Sequence, residues 1–506
     1  MSQHESVWRA TASLPTFPPL DGDANADVVV VGGGITGLTT ALLLQRDGAQ
    51  VALVEARRIG AGTTGGTTGK LTSQHSLTYA SLIDQHGEER ARAYAEANQQ
   101  AIGTVAGLVV ELGIDGQLTR APAYVYALEP GDRGQLELEH DAAATLGLPS
   151  SLTDEVDLPL PVELALRFDD QAHLHPGRYL AGLAEAFVAG GGTLAEGTRA
   201  MGVEEGDGSV AVHTEQGTVT AQHAVVATLL PITDRGGFFA KTRPTRGYGI
   251  AVRLASGGID GMHIDVGSTR STRPWDDDGR PGIIVVGETH ETGQEEHTPA
   301  RWGELERWAR EHFDVEAIAY RWSAQDFSPA DGLPYVGRSP RSDRILVATG
   351  MRKWGLTNGT AAAQILTDLV AGRDNPWAEA FDATRVGGAA AVKDLVQDNL
   401  QVGKELVGGY LERLTAGAVD HLEPGEGGLA KVDGQTVGAY RDPSGQVHAV
   451  SATCTHMGCT LQWNRAETSW DCPCHGSRFD CEGAVLEGPA VRALDRVELA
   501  QDPDAS

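Results

Sequence analysis

The sequence predicts an α/β fold that is followed by a separate all-β domain. The first observation is a strand–turn–helix–strand unit near the N-terminus, in which four valines at 28–31 lead into a glycine-rich turn. The second is a change after about residue 418 to short alternating strands separated by turns that contain Gly and Asp. The third is that all five cysteines lie between Cys454 and Cys481. A chain of 506 residues is long enough for several domains.

Charge and composition narrow the classes of partner. The chain has 40 basic and 69 acidic residues, a formal net charge of −29, which argues against binding to nucleic acid or to anionic membrane surfaces. No apolar run reaches the length of a transmembrane helix, and the N-terminus lacks the basic start and apolar core of a secretory signal. Because cysteines are few, we expect a cytoplasmic protein.

The N-terminal unit has the spacing of a dinucleotide-binding motif. Gly32 permits a tight turn, Gly34 lets the backbone approach a pyrophosphate, and Gly37 lets the helix and strand pack closely. The helix N-terminus then faces the phosphates, and Glu55, at the end of the second strand, can bind ribose hydroxyls. The unit predicts a bound dinucleotide but does not separate FAD from NAD.

A loop rich in Gly and Thr follows at 58–70, and its backbone N–H groups and hydroxyls can wrap a cofactor. Together with the first unit, this loop resembles the D-amino-acid-oxidase-like flavoproteins, the group that includes glycine oxidase and sarcosine oxidase. The resemblance implies FAD, with Thr63 and Thr64 in a loop that covers the ribityl chain and the flavin ring. Some relatives attach flavin covalently through a histidine of this loop. Because residues 65–67 are Gly-Gly-Thr, we expect non-covalent FAD.

Further motifs of the same group occur in order along residues 25–385. Residues 330–337 read ADGLPYVG and residues 345–350 read ILVATG, which resemble paired signatures of the group. The resemblance implies that the backbone near Val203 meets the adenine. It also implies that the helix predicted over 360–371 points its N-terminus at the flavin, where it stabilises negative charge on the reduced ring. The remaining implied FAD contacts are Gly350, Gly355 and Thr357.

The predicted fold is therefore a Rossmann-type FAD-binding domain with an inserted α+β substrate domain, followed by a C-terminal β domain. We predict an oxidoreductase at 1–385, a helical linker at 386–417 and the β domain at 418–506. Within the first of these, the dinucleotide-binding parts are placed at about 25–80, 178–228 and 330–385, and the substrate-domain parts at about 81–177 and 229–329.

The cysteines form two groups that each contain a histidine, Cys454-Thr-His456-Met-Gly-Cys459 and Cys472-Pro-Cys474-His475. Two cysteines with two histidines can bind zinc or an iron–sulfur cluster. Zinc ribbons and fingers favour C-x-x-C pairs and need no further cysteine, whereas each group here has an extra cysteine, where a clamp could join the two loops.

The pattern resembles the Rieske [2Fe–2S] motif at every ligand position. The resemblance implies that Cys454 and Cys472 bind one iron and that His456 and His475 bind the other. It further implies a disulfide between Cys459 and Cys474, and it assigns no role to Cys481.

Two residues near the second group bear on the reduction potential of the cluster. Ser477 matches a hydroxyl that bonds a bridging sulfide in respiratory Rieske proteins. Phe479 stands where those proteins usually have a tyrosine that donates to a ligand sulfur, and the segment 488–490 resembles the Pro loop that covers the cluster. Because the tyrosine donor is missing, we expect a potential between those of plant-type ferredoxins and respiratory Rieske proteins.

A two-electron carrier and a one-electron carrier on one chain imply an enzyme that sends electrons from a substrate through FAD to the cluster. We expect a dehydrogenase that oxidises a C–N bond of an amino acid or secondary amine, with an external acceptor that is a ferredoxin, a quinone or a cytochrome. The candidate residues for binding a substrate carboxylate are Arg246, Arg321 and Arg352, with Tyr248 nearby in sequence as a further candidate of the site. The alternative for each of them is a pair with an acidic residue at the surface.

Two alternatives remain open from the sequence. An NAD(P)H-linked reductase component would need a second G-x-G-x-x-G unit, and the sequence contains none. A non-catalytic redox sensor or electron-transfer adaptor would carry the same C-terminal motif. A Rieske aromatic-ring oxygenase needs a further domain for a mononuclear iron, and the chain leaves no space for one.

Overall fold

The computed structural model of the chain describes residues 5–233, 235–295, 297–385, 417–432 and 434–498. The helices of these residues are α1 (Val7–Thr11), α2 (Ile35–Arg46), α3 (Tyr79–His86), α4 (Glu88–Glu111), α5 (Arg133–Thr145), α6 (Pro176–Ala189), α7 (Phe238–Lys241), α8 (Ala300–His312), α9 (Gly355–Val370) and α10 (Ala378–Phe381). Short 3-10 turns span Thr63–Gly66, Pro130–Asp132 and Val419–His421.

The strands, in chain order, are β1 (Ala24–Asn25), β2 (Val28–Val31), β3 (Val51–Val54), β4 (Lys70–Leu71), β5 (Thr119–Arg120), β6 (Ala123–Ala127), β7 (Ser150–Thr153), β8 (Leu164–Phe168), β9 (Ala172–His173), β10 (Thr193–Ala195), β11 (Ala200–Glu205), β12 (Val210–Thr214), β13 (Thr218–Ala221), β14 (His223–Val226), β15 (Thr242–Leu254), β16 (Met262–Asp265), β17 (Ser271–Asp277), β18 (Arg280–Glu291), β19 (Val315–Pro329), β20 (Tyr335–Arg338), β21 (Ile345–Thr349), β22 (Gly417–Ala418), β23 (Gly427–Val432), β24 (Gln435–Arg441), β25 (Val447–Ser451), β26 (Gln462–Asn464), β27 (Ser469–Asp471), β28 (Arg478–Asp480) and β29 (Val485–Glu487).

A six-stranded sheet in the order β10-β3-β2-β14-β21-β20 is parallel except for its edge strand β20. All four valines of β2 are buried, as expected for a strand that is covered on both faces of a parallel sheet. The glycine-rich turn leaves the carboxyl end of β2, where ligands bind in open α/β sheets. This sheet confirms the predicted Rossmann-type fold.

An eight-stranded mixed sheet, in the order β19-β15-β18-β17-β16-β6-β8-β7, takes its strands from 123–168 and 242–329. On one face of β15, Tyr248 and Ile250 share a core with Trp302 and Leu305 of α8. The opposite face of this part of the sheet packs against the N-terminal helix α1, through Trp322 and Trp8. A smaller four-stranded sheet has the order β1-β13-β12-β11, and its strands come directly before β2 and β14 in the chain.

The C-terminal part contains two four-stranded sheets, β22-β23-β24-β25 and β26-β27-β28-β29, which confirms the predicted all-β class. The predicted helical linker at 386–417 lies outside the described residues except for Gly417, which belongs to strand β22. No helix in the described ranges is both long enough and apolar enough to span a membrane.

The helix predicted over 360–371 begins earlier than expected, at Gly355. The glycines at its start favour a loop by propensity, but packing overrides this preference. A Cβ on Gly359 would lie 2.6 Å from the Thr36 hydroxyl oxygen, so this glycine lets α9 approach α2 closely. The N-termini of both helices therefore come to the same end of the parallel sheet, next to the glycine-rich turn.

Candidate flavin and iron–sulfur sites

A long cleft runs from the end of β3, past the N-terminus of α2, to the start of α9. Its walls come from the glycine-rich turn, the loop at 58–67, the residues that follow β14, the end of β21, and a segment of the C-terminal domain at 486–491. Among the lining residues are Gly32, Gly33, Gly34, Glu55, Arg57, Thr63, Thr64, Arg199, Ala200, Thr228, Asp326, Met351, Lys353, Gly355, Glu487, Gly488 and Ala490.

Six of the ten predicted FAD contacts line this cleft: Gly32, Gly34, Glu55, Thr63, Thr64 and Gly355. The Glu55 carboxylate accepts the backbone N–H groups of Gly33 and Arg57, at 2.7 and 2.9 Å, which fixes it at the edge of the cleft. The Thr64 hydroxyl accepts the N–H of Ile35 at 3.2 Å, so the loop closes over the N-terminus of α2. Free N–H groups at a helix N-terminus suit a pyrophosphate.

The other four predicted contacts stand behind the wall. Gly37 packs its Cα against the Gly32 carbonyl, and Gly350 turns with φ +77° against Pro329. The Thr357 hydroxyl contacts the His75 imidazole and the Thr72 carbonyl in the interior. Val203 is buried three residues beyond Ala200, and it is Arg199 and Ala200 that reach the cleft.

The four substrate candidates are not gathered around the cleft, and none of them lines it. The Arg321 guanidinium is paired with Glu306 of α8, and Arg352 donates to the Gly332 carbonyl at 2.6 Å. The Tyr248 hydroxyl contacts His290 at 3.0 Å. Arg246 forms ion pairs with acidic residues of the C-terminal domain, described below. These engagements weigh against a carboxylate-binding role for the four residues.

The cysteine groups occupy two loops that face each other. Each loop is closed by its own backbone bonds: the Cys454 N–H donates to the Cys459 carbonyl and the Cys472 N–H to the Ser477 carbonyl, both at 2.8 Å. A disulfide joins Cys459 to Cys474, which confirms the pairing that the resemblance implied. Cys454 and Cys472 keep free, buried thiols.

The residues present fit a cluster with two thiolate and two imidazole ligands. The Cys454 sulfur accepts hydrogen bonds from the Cys472 thiol, from the backbone of His456 and Met457 and from Ser477, and together these lower the pKa of Cys454 to about 7. The backbone of Cys474 and His475 points at the Cys472 sulfur. Such donors stabilise sulfur anions.

The two histidine ligands of the motif lie side by side. Their ring centroids are 5.1 Å apart, and their Nδ1 atoms are buried. Cys459, Cys472 and Cys474 also bring their sulfurs together, but two of those sulfurs belong to the disulfide and cannot act as thiolate ligands.

The C-terminal domain docks directly on the flavin cleft through its cluster loops. The Gln325 amide donates to the Gly476 carbonyl at 2.8 Å, and Arg199 donates to the Val485 carbonyl at 2.9 Å. Two glycines permit close backbone approach: a Cβ on Gly476 would lie 2.6 Å from the Cβ of Pro244, and one on Gly293 would lie 2.7 Å from the Pro473 nitrogen. The segment 486–491 can therefore form part of the cleft wall.

Phe239 of α7 contacts both predicted histidine ligands. Its ring meets the His475 ring edge-on at 4.9 Å between centroids and the His456 ring at 5.5 Å. The imidazole side of the cluster loops therefore faces helix α7 of the oxidoreductase part of the chain.

A buried network of charges holds this docking in place. Arg246 of β15 is 1% exposed and pairs with Glu467 at 2.5 Å and Glu487 at 3.4 Å. Arg478 approaches the same two acids at 3.0 and 3.5 Å and also binds Asp471 at 2.8 Å. Burial alone would raise the pKa of Glu467, but the two arginines lower it to about 2.

Replacing Arg246 with methionine should destabilise the docked protein, because Glu467 and Glu487 would lose one of their two cationic partners. Removing one member of a buried pair costs about 3–5 kcal/mol. The measurement is the thermal midpoint. The matched control is Arg321→Met on the same strand pair, whose partly exposed pair with Glu306 should contribute only about 0.2–1 kcal/mol. Equal effects of the two substitutions would contradict a locking role for Arg246.

Phe479 is fully buried in the same core as Cys454 and Cys472. Phe479→Tyr should raise the midpoint potential of the cluster, because a hydroxyl that donates to a ligand sulfur stabilises the more negative, reduced state. Protein-film voltammetry measures this potential. Tyr440→Phe, which removes a hydroxyl elsewhere in the domain, controls for general effects of a hydroxyl. An unchanged or lowered potential in Phe479→Tyr would contradict this account of the tuning.

Both parts of the chain match known protein families. Residues 27–369 match the family described as FAD dependent oxidoreductase, and residues 412–498 match the Rieske [2Fe-2S] domain. YhfW of Bacillus subtilis (strain 168), described as a Rieske 2Fe-2S iron-sulfur protein, is 36% identical over 498 residues, 98% of each chain.

Two glycine oxidases are similar to the flavin-binding part. That of Bacillus licheniformis is 27% identical over 384 residues, covering 71% of this chain and 97% of its own. The crystal structure of glycine oxidase from Geobacillus kaustophilus superposes with a TM-score of 0.63 at 19% identity and covers 72% of this chain and 100% of its own, a likeness of fold.

Proposed function

The chain belongs to the FAD dependent oxidoreductase family and carries a C-terminal Rieske [2Fe-2S] domain, and on this premise we propose that it oxidises a C–N bond of an amino acid or secondary amine and passes the electrons through its cluster to an external acceptor. The observation that carries the proposal is that segment 486–491 of the Rieske domain forms part of the wall of the FAD cleft. The similarity to glycine oxidases supports an amine or amino acid as the class of substrate.

Each wall of the cleft has a distinct task in this proposal. The N-terminus of α2 binds the pyrophosphate with its free N–H groups, and Glu55 binds ribose hydroxyls. The N-terminus of α9, at Gly355, stabilises negative charge at the ring end. FAD, when bound, takes two electrons from the substrate, and the cluster carries them away singly.

The predicted cluster ligands are Cys454, Cys472, His456 and His475, and the two imidazoles contact Phe239 of helix α7 in the oxidoreductase part of the chain. This arrangement favours a dehydrogenase over an enzyme that hands electrons directly to oxygen, because the one-electron carrier is docked at the flavin cleft. We propose that FAD is held without a covalent bond. The acceptor is a small redox protein or a quinone, and a cytoplasmic location stays a prediction.

The experiment is an anaerobic titration of the purified holoenzyme with a panel of amino acids and secondary amines. We expect at least one of them to bleach the flavin absorbance and to produce the EPR signal of the reduced cluster. Bleaching by NAD(P)H alone would favour a reductase, and failure of the whole panel would favour a redox sensor. Flavin bleaching without reduction of the cluster would contradict the proposed electron transfer.

A further inference from the structure

One face of the large sheet lies against the flavin loop, where Trp322 donates to the Gly66 carbonyl and the residues next to it are small. A Cβ on Gly66 of the loop would lie 2.9 Å from the Cβ of Ala324 on β19, so this face meets the loop closely. Gly247 of β15 pairs in register with Ala324, and Thr245 pairs with Asp326, so all four residues point to the same side. The small side chains let the loop pack closely on this part of the sheet, and Asp326 is the member of this group that reaches the cleft.

Asp326 places a carboxyl group in this space. It lines the cleft together with Met351 and Gly355 and is 5% exposed. Its Oδ2 accepts the backbone N–H of Lys353. Its Oδ1 is buried, the backbone N–H of Phe327 is also directed at this carboxylate, and the hydroxyl of its neighbour Thr245 is buried without a hydrogen-bond partner among the described residues. A buried polar group without a full set of hydrogen bonds lowers the stability of the fold, and a bound ligand can supply the missing hydrogen bond.

Lys353 brings an ammonium group to the same end of the cleft. Arg352 and Lys353 are consecutive residues with left-handed backbone, at φ 53° and 68°, a conformation that is costly outside glycine and that occurs at functional sites. This turn directs the Lys353 N–H to Asp326 and lets the Lys353 ammonium bond the Thr289 hydroxyl at 2.9 Å. Unlike Asp326, the Lys353 side chain is exposed.

We propose that Asp326 and Lys353 bind the two charged groups of an α-amino acid substrate, the amino group at Asp326 and the carboxylate at Lys353. This inference rests on the proposed function and names the site that performs it. The arginines that the sequence suggested for the carboxylate are engaged elsewhere, whereas these two residues carry opposite charges at the α9 end of the cleft.

The carboxylate at Asp326 also has a chemical task. An α-ammonium group must lose one proton before its nitrogen lone pair can drive loss of the Cα hydride. That proton would pass from the substrate nitrogen to Asp326 Oδ1, and FAD, when bound, would supply the acceptor for the Cα hydride with both electrons of its bond as the C=N bond forms. Asp326 then releases the proton to solvent. Burial raises the pKa of Asp326 to about 6, while backbone hydrogen bonds from Lys353 and Phe327 and the charges of Lys353 and Arg352 oppose the rise, so the ionised form predominates above that pH. The Rieske residue Glu487 also lines the cleft, where Arg246 and Arg478 compensate its charge.

The test measures ligand binding to the holoenzyme without turnover, by perturbation of the flavin spectrum. The probes lack an α-hydrogen on the carbon that bears nitrogen: 2-aminoisobutyrate carries both charges, and tert-butylamine carries only the ammonium. Isobutyrate carries only the carboxylate. Asp326→Asn should weaken 2-aminoisobutyrate and tert-butylamine about 10- to 100-fold, as expected for the loss of a hydrogen bond to a charged group, and should spare isobutyrate.

Lys353→Met should give the opposite pattern, weakening 2-aminoisobutyrate and isobutyrate and sparing tert-butylamine. Glu306→Gln, which alters an ion pair on the opposite face of the sheet, is the matched control and should leave all three dissociation constants unchanged. Unchanged binding of 2-aminoisobutyrate in both site variants would overturn the proposal. A shift of the flavin midpoint potential in Asp326→Asn with unchanged binding would overturn it too, since Asp326 would then act on the flavin.

The native protein provides a test that does not depend on the folding of a variant. Binding of 2-aminoisobutyrate should weaken as the pH falls from about 8 to about 5, because Asp326 is protonated through its pKa of about 6 while the charges of the probe stay constant. A flat affinity over this range would overturn the proposal. These binding results are independent of whether any amine reduces the cluster, so failure of the proposed function is distinguishable from failure of this site.

Discussion

Replacing Gly37 with alanine will leave the protein unable to hold FAD. A Cβ at this position would lie 1.9 Å from the Gly32 carbonyl oxygen and 3.4 Å from a Val30 methyl group. The first of these atoms belongs to the backbone and the second to a buried strand. Neither can move aside without opening the turn that binds the pyrophosphate. The flavin absorbance per chain, measured after purification and incubation with excess FAD, should fall to near zero.

Gly103→Ala is the control for this substitution. Gly103 lies in α4, and a Cβ there would meet no atom within 4 Å. The exchange should leave FAD content unchanged and stabilise the helix by up to about 1 kcal/mol, since alanine has the higher helix propensity. Full FAD content in Gly37→Ala would show that the turn does not need this close approach.

Replacing Cys472 with serine will remove the cluster and separate the two halves of the reaction. Cys472 is 1% exposed in the core of the cluster loops, and a serine hydroxyl is a much poorer iron ligand than a thiolate because it loses its proton far less readily. Iron content and the EPR signal should be lost. The substrate should still bleach the flavin, but transfer to an artificial one-electron acceptor should slow severely.

Cys481→Ser provides the matched control, because Cys481 is a half-buried free cysteine that lies outside the two cluster loops. This variant should keep its iron and its transfer rate. If Cys472→Ser kept an iron content equal to that of the native protein, the assignment of this ligand would be wrong. Bound zinc in place of iron in the native protein would contradict the cluster itself.

The two cofactor motifs could be predicted because each is local in sequence. The turn from Gly32 to Gly37 and the Cys454–Cys459 group need only a few consecutive residues to define their geometry, and the chemistry follows from the residue types. The pairing of Cys459 with Cys474 was implied by resemblance for the same reason, and the structure contains it.

The substrate side could not be predicted, because its contacts join distant parts of the chain. Arg246 suggested a carboxylate partner, but the carboxylates that it meets belong to Glu467 and Glu487 in the other domain. The sequence alone does not show which of the many arginines forms an ion pair with an acidic residue of the same protein. The register of β15 and β19 decides which side chains face the flavin loop.

Asp326 and Lys353 gave no recognisable signal in the sequence. Asp326 is one of 69 acidic residues, and only its burial at the cleft distinguishes it. Lys353 has a left-handed backbone conformation, but lysine, unlike glycine or asparagine, does not indicate such a conformation in the sequence. The positive φ angles of Arg352 and Lys353 therefore become visible only in the structure.

The Rieske domain is docked on the flavin cleft of its own chain, and electron transfer within one chain follows from this arrangement. Rapid mixing of substrate with the anaerobic holoenzyme, followed by freeze-quench EPR, measures how fast the cluster is reduced. We expect the flavin to be reduced first and the cluster to follow at a rate that does not change with protein concentration, because the transfer occurs within one chain. A rate that rises in proportion to protein concentration would mean transfer between molecules and would contradict the docked arrangement.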